Sequence, residues 1–159
     1  MKPFYLSAAA AACFLICNFH SAAQASADTK QVVPGFRVEI SYSEQAINEL
    51  KRRAETVVVF GYPFGFPRPT APKSLVSDMG EIGLGEFRTE VSPGDVANIP
   101  TLALNRNNLR YVEEVKLLVN VVSGRRSSRD NLLSCDIYEG DLAPVASKAI
   151  PIKCRLIGE

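Results

Sequence analysis

The first part of the fold is decided by one stretch of sequence, FRVEISYSEQAINELKRRAETVVVF (residues 36–60). Residues 36–42 alternate apolar and polar side chains, which predicts a half-buried strand. Residues 56–60 are β-branched and apolar without alternation, which is typical of an interior strand covered on both faces. The segment therefore predicts the order strand, helix, strand.

The middle of this segment has the spacing of an amphipathic helix. Ala46, Ile47 and Leu50 form an apolar stripe, and Glu49 stands four residues before Arg53, a distance that suits an ion pair on a helix. Two alternatives are open for the start of this helix. Ser43 can cap it, or Ser41 can form a capping box with the glutamate three residues later.

The middle of the chain predicts a loop, a bulge and a central strand. Four prolines between Pro63 and Pro72 predict that the strand stops there and that a surface loop follows. The apolar residues from Ile82 to Val91 change phase at Gly85, as a β-bulge would cause. Residues 115–122 are apolar on one face and partly on the other, which indicates a central strand.

Two cysteines near the end of the chain predict a pairing register. Residues 131–138 and 149–157 have the character of strands, and Cys135 opposite Cys154 would place Ile137 opposite Ile152. A disulfide between the two cysteines is the expected state in an oxidising compartment. Pro151 has no N–H to donate, so the last strand should lie at an edge or turn its amide side outward.

The count of elements predicts the fold class. Six to seven short strands with one early amphipathic helix predict a mainly β domain, an antiparallel β-sandwich. The alternative is an α+β arrangement in which the helix covers a single sheet.

The amino terminus has the features of a secretory signal peptide. Lys2 gives a basic start, an uncharged apolar run follows, and Ala23 and Ala25 supply the small residues of a cleavage site. We expect residues 1–25 to be the signal peptide and residues 26–159 to be a single exported β-rich domain, periplasmic or secreted. The apolar run is too short for a retained transmembrane span. Lipid attachment at Cys13 is the alternative to soluble export.

Removal of residues 1–25 changes which chemistry is available. His20 is the only histidine, and Lys2 is the only charged residue in the removed segment, so the formal net charge falls from +1 to 0. A domain without histidine cannot use Ser-His-Asp or Cys-His catalysis or a histidine zinc site. The balanced charge does not favour nucleic acid as a partner. We predict no cofactor and no metal.

Aromatic residues recur at every second position from Phe60 to Phe66. In an extended chain these rings project from one side, where they could stack on a sugar or receive apolar side chains of a partner. Tyr62, Phe64 and Phe66 are therefore candidate binding residues, with Tyr62 and Phe64 expected to be the most exposed. The alternative is that the rings close the end of the core.

Residues 124–130, called the arginine loop below, contain Arg125, Arg126 and Arg129. Three guanidinium groups in a short loop with glycine and serines could form a donor-rich pocket for phosphate or carboxylate. The alternative is a solvated loop with one internal ion pair, from Arg129 to Asp130 or to a neighbouring acid.

The functional prediction follows from these exclusions and clusters. We expect a non-catalytic recognition or assembly module that binds a protein or glycan of the bacterial envelope. The first alternative is a carboxylate-dependent hydrolase of envelope polysaccharide. A second is a subunit that accepts or donates a strand. The candidate acids for the hydrolase are Glu81, Glu86, Glu90, Asp136, Glu139 and Asp141.

Overall fold

The computed structural model describes residues 32–142, 145 and 149–159. The predicted signal peptide, with Cys13 and the cleavage site, lies outside these residues. The helices are α1 (Glu44–Arg52) and α2 (Arg106–Leu109), and a short 3₁₀ turn spans Lys73–Leu75. The strands are β1 (Val32–Val33), β2 (Phe36–Tyr42), β3 (Val57–Gly65), β4 (Ile82–Gly83), β5 (Phe87–Val91), β6 (Ala97–Ile99), β7 (Leu102–Ala103), β8 (Lys116–Ser123), β9 (Leu133–Cys135), β10 (Tyr138–Asp141) and β11 (Ile150–Leu156).

The larger sheet has five strands and is antiparallel. Its order is β10, β8, β3, and then β4 and β5 follow one another along the far side of β3. The strand predicted over residues 115–122 is β8, and it has a neighbour on each side as predicted. Val57, Val58 and Val59 are all fully buried, so the interior position predicted for this strand is also confirmed.

The second sheet has the order β6, β2, β11, β9. β2 and β11 run parallel, which departs from the wholly antiparallel expectation. These two strands come from opposite ends of the domain and no hairpin joins them, so no short turn imposes the antiparallel direction. Residues of both sheets share one hydrophobic core, and the rings of Phe36 and Phe87 meet edge to face at 5.7 Å between the sheets. The mainly β sandwich is confirmed, although the described residues form eleven strands where six to seven were predicted, and the single-sheet alternative is not observed.

Helix α1 follows β2 and contributes Ala46 and Leu50 to this core. Its capping residue is Ser43, whose hydroxyl oxygen accepts a hydrogen bond from the N–H of Ala46 at 3.1 Å. Ser41 does not form the alternative capping box, because its hydroxyl lies against the carbonyl of Ile152. Glu49 pairs with Arg53 as predicted, and it also pairs with the neighbouring arginine.

The predicted bulge is present, and it explains why a proline lies inside β3. Tyr62 and Pro63 of β3 lie opposite three residues, 84–86, so the opposing segment has one extra residue here. This extra residue lets both Leu84 and Phe87 point into the core. The expectation that the strand ends before the prolines was wrong, since β3 continues to Gly65. Pro63 is tolerated because it lies at the bulge, where the ladder is interrupted anyway, and its carbonyl still accepts from the N–H of Leu84 at 2.9 Å.

The carboxyl-terminal strands confirm the cysteine register and correct its extension. Cys135 lies directly opposite Cys154, and the two form a disulfide. Ile137 does not lie opposite Ile152: it is 61% exposed, because β9 ends at Cys135 and the chain then crosses to the other sheet as β10. β11 is not an edge strand, because it lies between β2 and β9. However, β9 pairs with only the last three residues of β11. Among the described residues, no strand therefore lies beside Pro151 on the side away from β2.

Candidate functional site

The aromatic residues predicted to bind a partner lie on the face of the five-stranded sheet that is turned away from the core. This face is called the outer face below. Val57 and Val59 belong to the core, so the alternate residues of β3 point to the opposite side. The ring centroids of Tyr62 and Phe64 are 5.7 Å apart, and those of Phe64 and Phe66 are 6.1 Å apart. The prediction that these rings project from one side is confirmed.

Exposure of these rings differs from the expectation. Phe64 is fully buried, whereas Phe66 is 45% exposed and Tyr62 is partly exposed. Phe64 is covered because it lies between the two neighbouring rings, with Lys116 as its cross-strand neighbour. It was wrong to expect Phe64 at the surface. Tyr62 and Phe66 are the rings that a partner can reach, and Phe64 supports them from between.

The arginine loop is built around a carboxylate of the chain itself. Glu55, which is 2% exposed, accepts from the backbone N–H of Arg126 at 2.8 Å and from the N–H of Ser127 at 2.8 Å. The hydroxyl of Ser127 donates at 2.6 Å and the N–H of Thr56 at 3.0 Å. The pocket predicted from the three guanidinium groups is not what surrounds this carboxylate: backbone N–H groups and the Ser127 hydroxyl bind Glu55 instead.

These hydrogen bonds determine the protonation state of Glu55. Burial alone would raise its pKa, but the donors of Ser127, Arg126 and Thr56 together lower the pKa to about 2. The carboxylate therefore stays ionised at neutral pH. A buried charge is tolerated here because four donors surround it.

Arg126 is also used internally. Its guanidinium binds Glu90 with two hydrogen bonds, each 2.8 Å long, and the hydroxyl of Thr56 donates to the same carboxylate at 2.5 Å. These contacts lower the pKa of Glu90 to about 2. The internal ion pair expected for this loop exists, but it joins Arg126 to Glu90 instead of involving Arg129. Within the described ranges, Arg125 and Arg129 are exposed and form no ion pair.

Two surface cavities connect the aromatic residues with the arginine loop. One, of about 400 Å³, is lined by Phe60, Tyr62 and Arg88 among others. The second, of about 240 Å³, is lined by Phe60, Arg88 and Arg125. Phe60 and Arg88 are cross-strand partners, so their side chains share the outer face. The two predicted clusters therefore belong to one continuous surface.

Arg88, which lines both cavities, was not singled out in the sequence, and Glu90 was named only among the candidate acids of the hydrolase. Arg88 and Glu90 follow the bulge at alternate positions, so the alternation that predicted β5 also placed them on one face, but their partners depend on strand order. Glu55 carries a weak signal, a charge directly before an apolar strand. Neither signal indicates which donors lie nearby.

Two acids lie near Tyr62, one on β10 and one just before β4. Glu139 of β10 is paired with Leu118, which is paired with Tyr62, and Glu81 directly precedes β4. Burial, and then the negative charge of Glu139, raise the pKa of Glu81. Burial and these two acids also raise the pKa of Tyr62. The acids Glu81 and Glu139 are thus within electrostatic range of each other and of the exposed ring.

Another cavity, of about 730 Å³, lies beside the turn between β5 and β6 and includes Thr56, Glu90 and Asp95 in its lining. None of the predicted binding residues reaches it. Its one strongly bound carboxylate, Glu90, already has Arg126 and Thr56 as partners, so the outer face is the better candidate.

No family model matches this chain, and neither a curated protein nor a solved structure is significantly similar to it. Over the ranges that the structure covers, no helix is long and apolar enough to cross a membrane. The ligand of the outer face is therefore inferred from the side chains of that face.

Proposed function

We propose that the protein is an exported, non-catalytic recognition or assembly module that binds a protein or glycan of the bacterial envelope through the outer face. One observation carries this proposal: the partly exposed ring of Tyr62, the exposed ring of Phe66 and the guanidinium of Arg125, which has no ion pair among the described residues, lie on one surface. Two cavities that Phe60 and Arg88 both line join Tyr62 to Arg125, and ring contacts through Phe64 join Tyr62 to Phe66. Aromatic and arginine side chains carry much of the binding energy at interfaces.

Export is supported by the amino-terminal sequence and by the cysteine pair. Residues 1–25 have the pattern of a signal peptide, and a disulfide such as Cys135–Cys154 persists in oxidising compartments. Intact mass of protein isolated from the periplasm or medium tests this part. We expect a chain that begins at Ser26 or within a few residues of it, and a full-length or lipid-modified mass would contradict soluble export.

A non-catalytic role is supported by the absence of histidine after residue 25 and by the internal partners of both cysteines and two glutamates. The sequence after residue 25 contains no histidine, and both of its cysteines are in the disulfide. Glu55 and Glu90 are bound to donors of the protein itself. Histidine and thiol catalysis therefore lack their reactive groups, and the candidate bases that remain are other carboxylates.

The test of binding is affinity capture from envelope extract with the mature domain as bait. We expect Tyr62→Ala with Phe66→Ala, and separately Arg125→Gln, to keep a cooperative unfolding transition and to weaken binding of the captured partner. The control variants remove exposed side chains elsewhere: Ile137→Ala for the rings and Arg37→Gln, on β2 of the other sheet, for the cation. If the outer-face variants retain full affinity, or the controls lose as much, the site is wrong.

A second candidate function has one observation in its favour. Glu81 and Glu139 lie near Tyr62, and burial together with the charge of Glu139 raises the pKa of Glu81, which is the pattern of an acid and base pair in glycoside cleavage. Release of reducing ends from envelope polysaccharide, lost in Glu81→Gln and retained in Glu86→Gln, would establish this hydrolase and overturn the non-catalytic proposal.

A further inference from the structure

The cavity between Phe60 and the arginine loop has two cations in its wall. Arg88 of β5 and Arg125 of the loop line this space of about 240 Å³ together with the ring of Phe60. Both arginines are exposed. The cavity thus combines an aromatic ring with two guanidinium groups, which are the side chains best suited to bind planar carboxylates.

The other charges nearby leave these two cations available. Glu55 is satisfied by backbone and hydroxyl donors, and Glu90 is held in a two-point pair by Arg126. Arg88 contributes only a weaker, longer-range effect on the pKa of Glu90. Among the described residues, no carboxylate lies within ion-pair distance of Arg88 or Arg125.

The position of Arg125 is fixed by the backbone around it. Its φ angle is 59°, in the left-handed region that side chains other than glycine rarely adopt. The N–H of Gly124 donates to the carbonyl of Thr56 at 2.7 Å, and the N–H of Arg126 donates to Glu55 at 2.8 Å. Hydrogen bonds on both sides of Arg125 thus hold the loop in this conformation and place its side chain at the wall of the cavity.

We propose that this cavity binds an acidic sugar of the uronic-acid class, with its carboxylate on Arg88 and Arg125 and its ring stacked on Phe60. This inference rests on the proposed function and specifies its ligand. Glu86 lines the adjoining cavity together with Phe60, and Asn120 is the cross-strand neighbour of Phe60 on β8; both would supply polar groups for sugar hydroxyls. A pyranose presents an apolar C–H face and a polar rim, which matches an aromatic ring surrounded by polar side chains.

The strand pairing favours a sugar over an acidic peptide. β3 is hydrogen-bonded to β8 on one side and to β4 and β5 on the other, so the backbone beneath Phe60 has no groups left to pair with a peptide strand. A peptide lying across this face would gain only side-chain contacts and would leave its own backbone polar groups unmatched.

The test is calorimetric titration of the mature domain with oligomers of galacturonate, of mannuronate and of glucuronate, and with their neutral methyl esters. We expect at least one acidic oligomer to bind, and its ester to bind about tenfold more weakly or worse, because charge-assisted hydrogen bonds are lost. Arg88→Gln and Arg125→Gln should abolish this preference for the acid, whereas Arg37→Gln should retain it.

Phe60→Leu, which keeps an apolar side chain at this partly buried position, should weaken the acid and the ester alike because stacking is lost. The inference is overturned if no uronate binds, if acid and ester bind equally, or if an oligo-aspartate peptide binds in preference. These failures differ from failure of the proposed function, which is decided by the captured envelope partner and its response to Tyr62→Ala with Phe66→Ala.

Discussion

At the scale of single residues, Glu55 organises the arginine loop. It lies between helix α1 and strand β3 and receives donors from both Thr56 and the loop. Replacing it leaves several buried donors without an acceptor, each of which costs free energy.

We therefore expect Glu55→Ala to lower the free energy of unfolding by about 2–4 kcal/mol. Urea unfolding curves measure this change, with Glu39→Ala, an exposed carboxylate of β2, as the control. A loss below that of the control would show that the carboxylate does not hold the loop.

The same residue should contribute to acid sensitivity. Its pKa is lowered in the folded protein from 4.5 to about 2, so the unfolded chain takes up the proton first as pH falls. The contribution to stability is fully present above about pH 5 and is lost as the pH decreases towards 2. Glu55→Gln should show a smaller loss of stability over this range than the unmodified protein, and an identical pH profile would contradict the assignment.

Two aromatic residues of the outer face, Phe64 and Phe66, should differ in how much they contribute to stability. Phe64 is fully buried and Phe66 is 45% exposed, so Phe64→Ala should cost about 3 kcal/mol or more and Phe66→Ala less than about 1 kcal/mol. Thermal and urea unfolding of the two variants test this difference. Equal losses would show that Phe66 is packed as firmly as Phe64.

At the scale of elements, the sequence predicted the strands, helix and bulge that follow from periodicity. It could not predict the burial and pairing that depend on contacts between distant strands. The alternation over residues 36–42, the apolar stripe of α1 and the phase change at Gly85 each identified an element correctly. The burial of Phe64, the partners of Arg126 and the parallel pairing of β2 with β11 depend on which strands become neighbours. The spacing of residues within one segment does not determine the order of strands in the sheets.

The disulfide is an element-scale feature that spacing and alternation predicted together. Cys135 and Cys154 are 19 residues apart and join β9 to β11. In the chain-entropy model a loop of this size contributes about 3 kcal/mol. We expect reduction, or Cys135→Ser with Cys154→Ser, to lower the unfolding free energy by about this amount. Peptide mapping without reductant should find the two peptides linked, and two alkylatable thiols in exported protein would contradict the pairing.

At the scale of the whole molecule, the two sheets have different surroundings. Helix α1 packs near β2 and β11, whereas the five-stranded sheet carries the exposed rings and cations on its outer face. We propose that recognition uses this outer face alone.

Side-chain footprinting by hydroxyl radicals, with and without the captured partner, tests this claim most directly because it reports aromatic and aliphatic side chains individually. We predict that the partner protects Tyr62 and Phe66, while Ile137 and Ile157, which are 61% and 60% exposed, react as before. Unchanged reactivity of Tyr62 and Phe66, with protection at Ile137 or Ile157 instead, would contradict the claim.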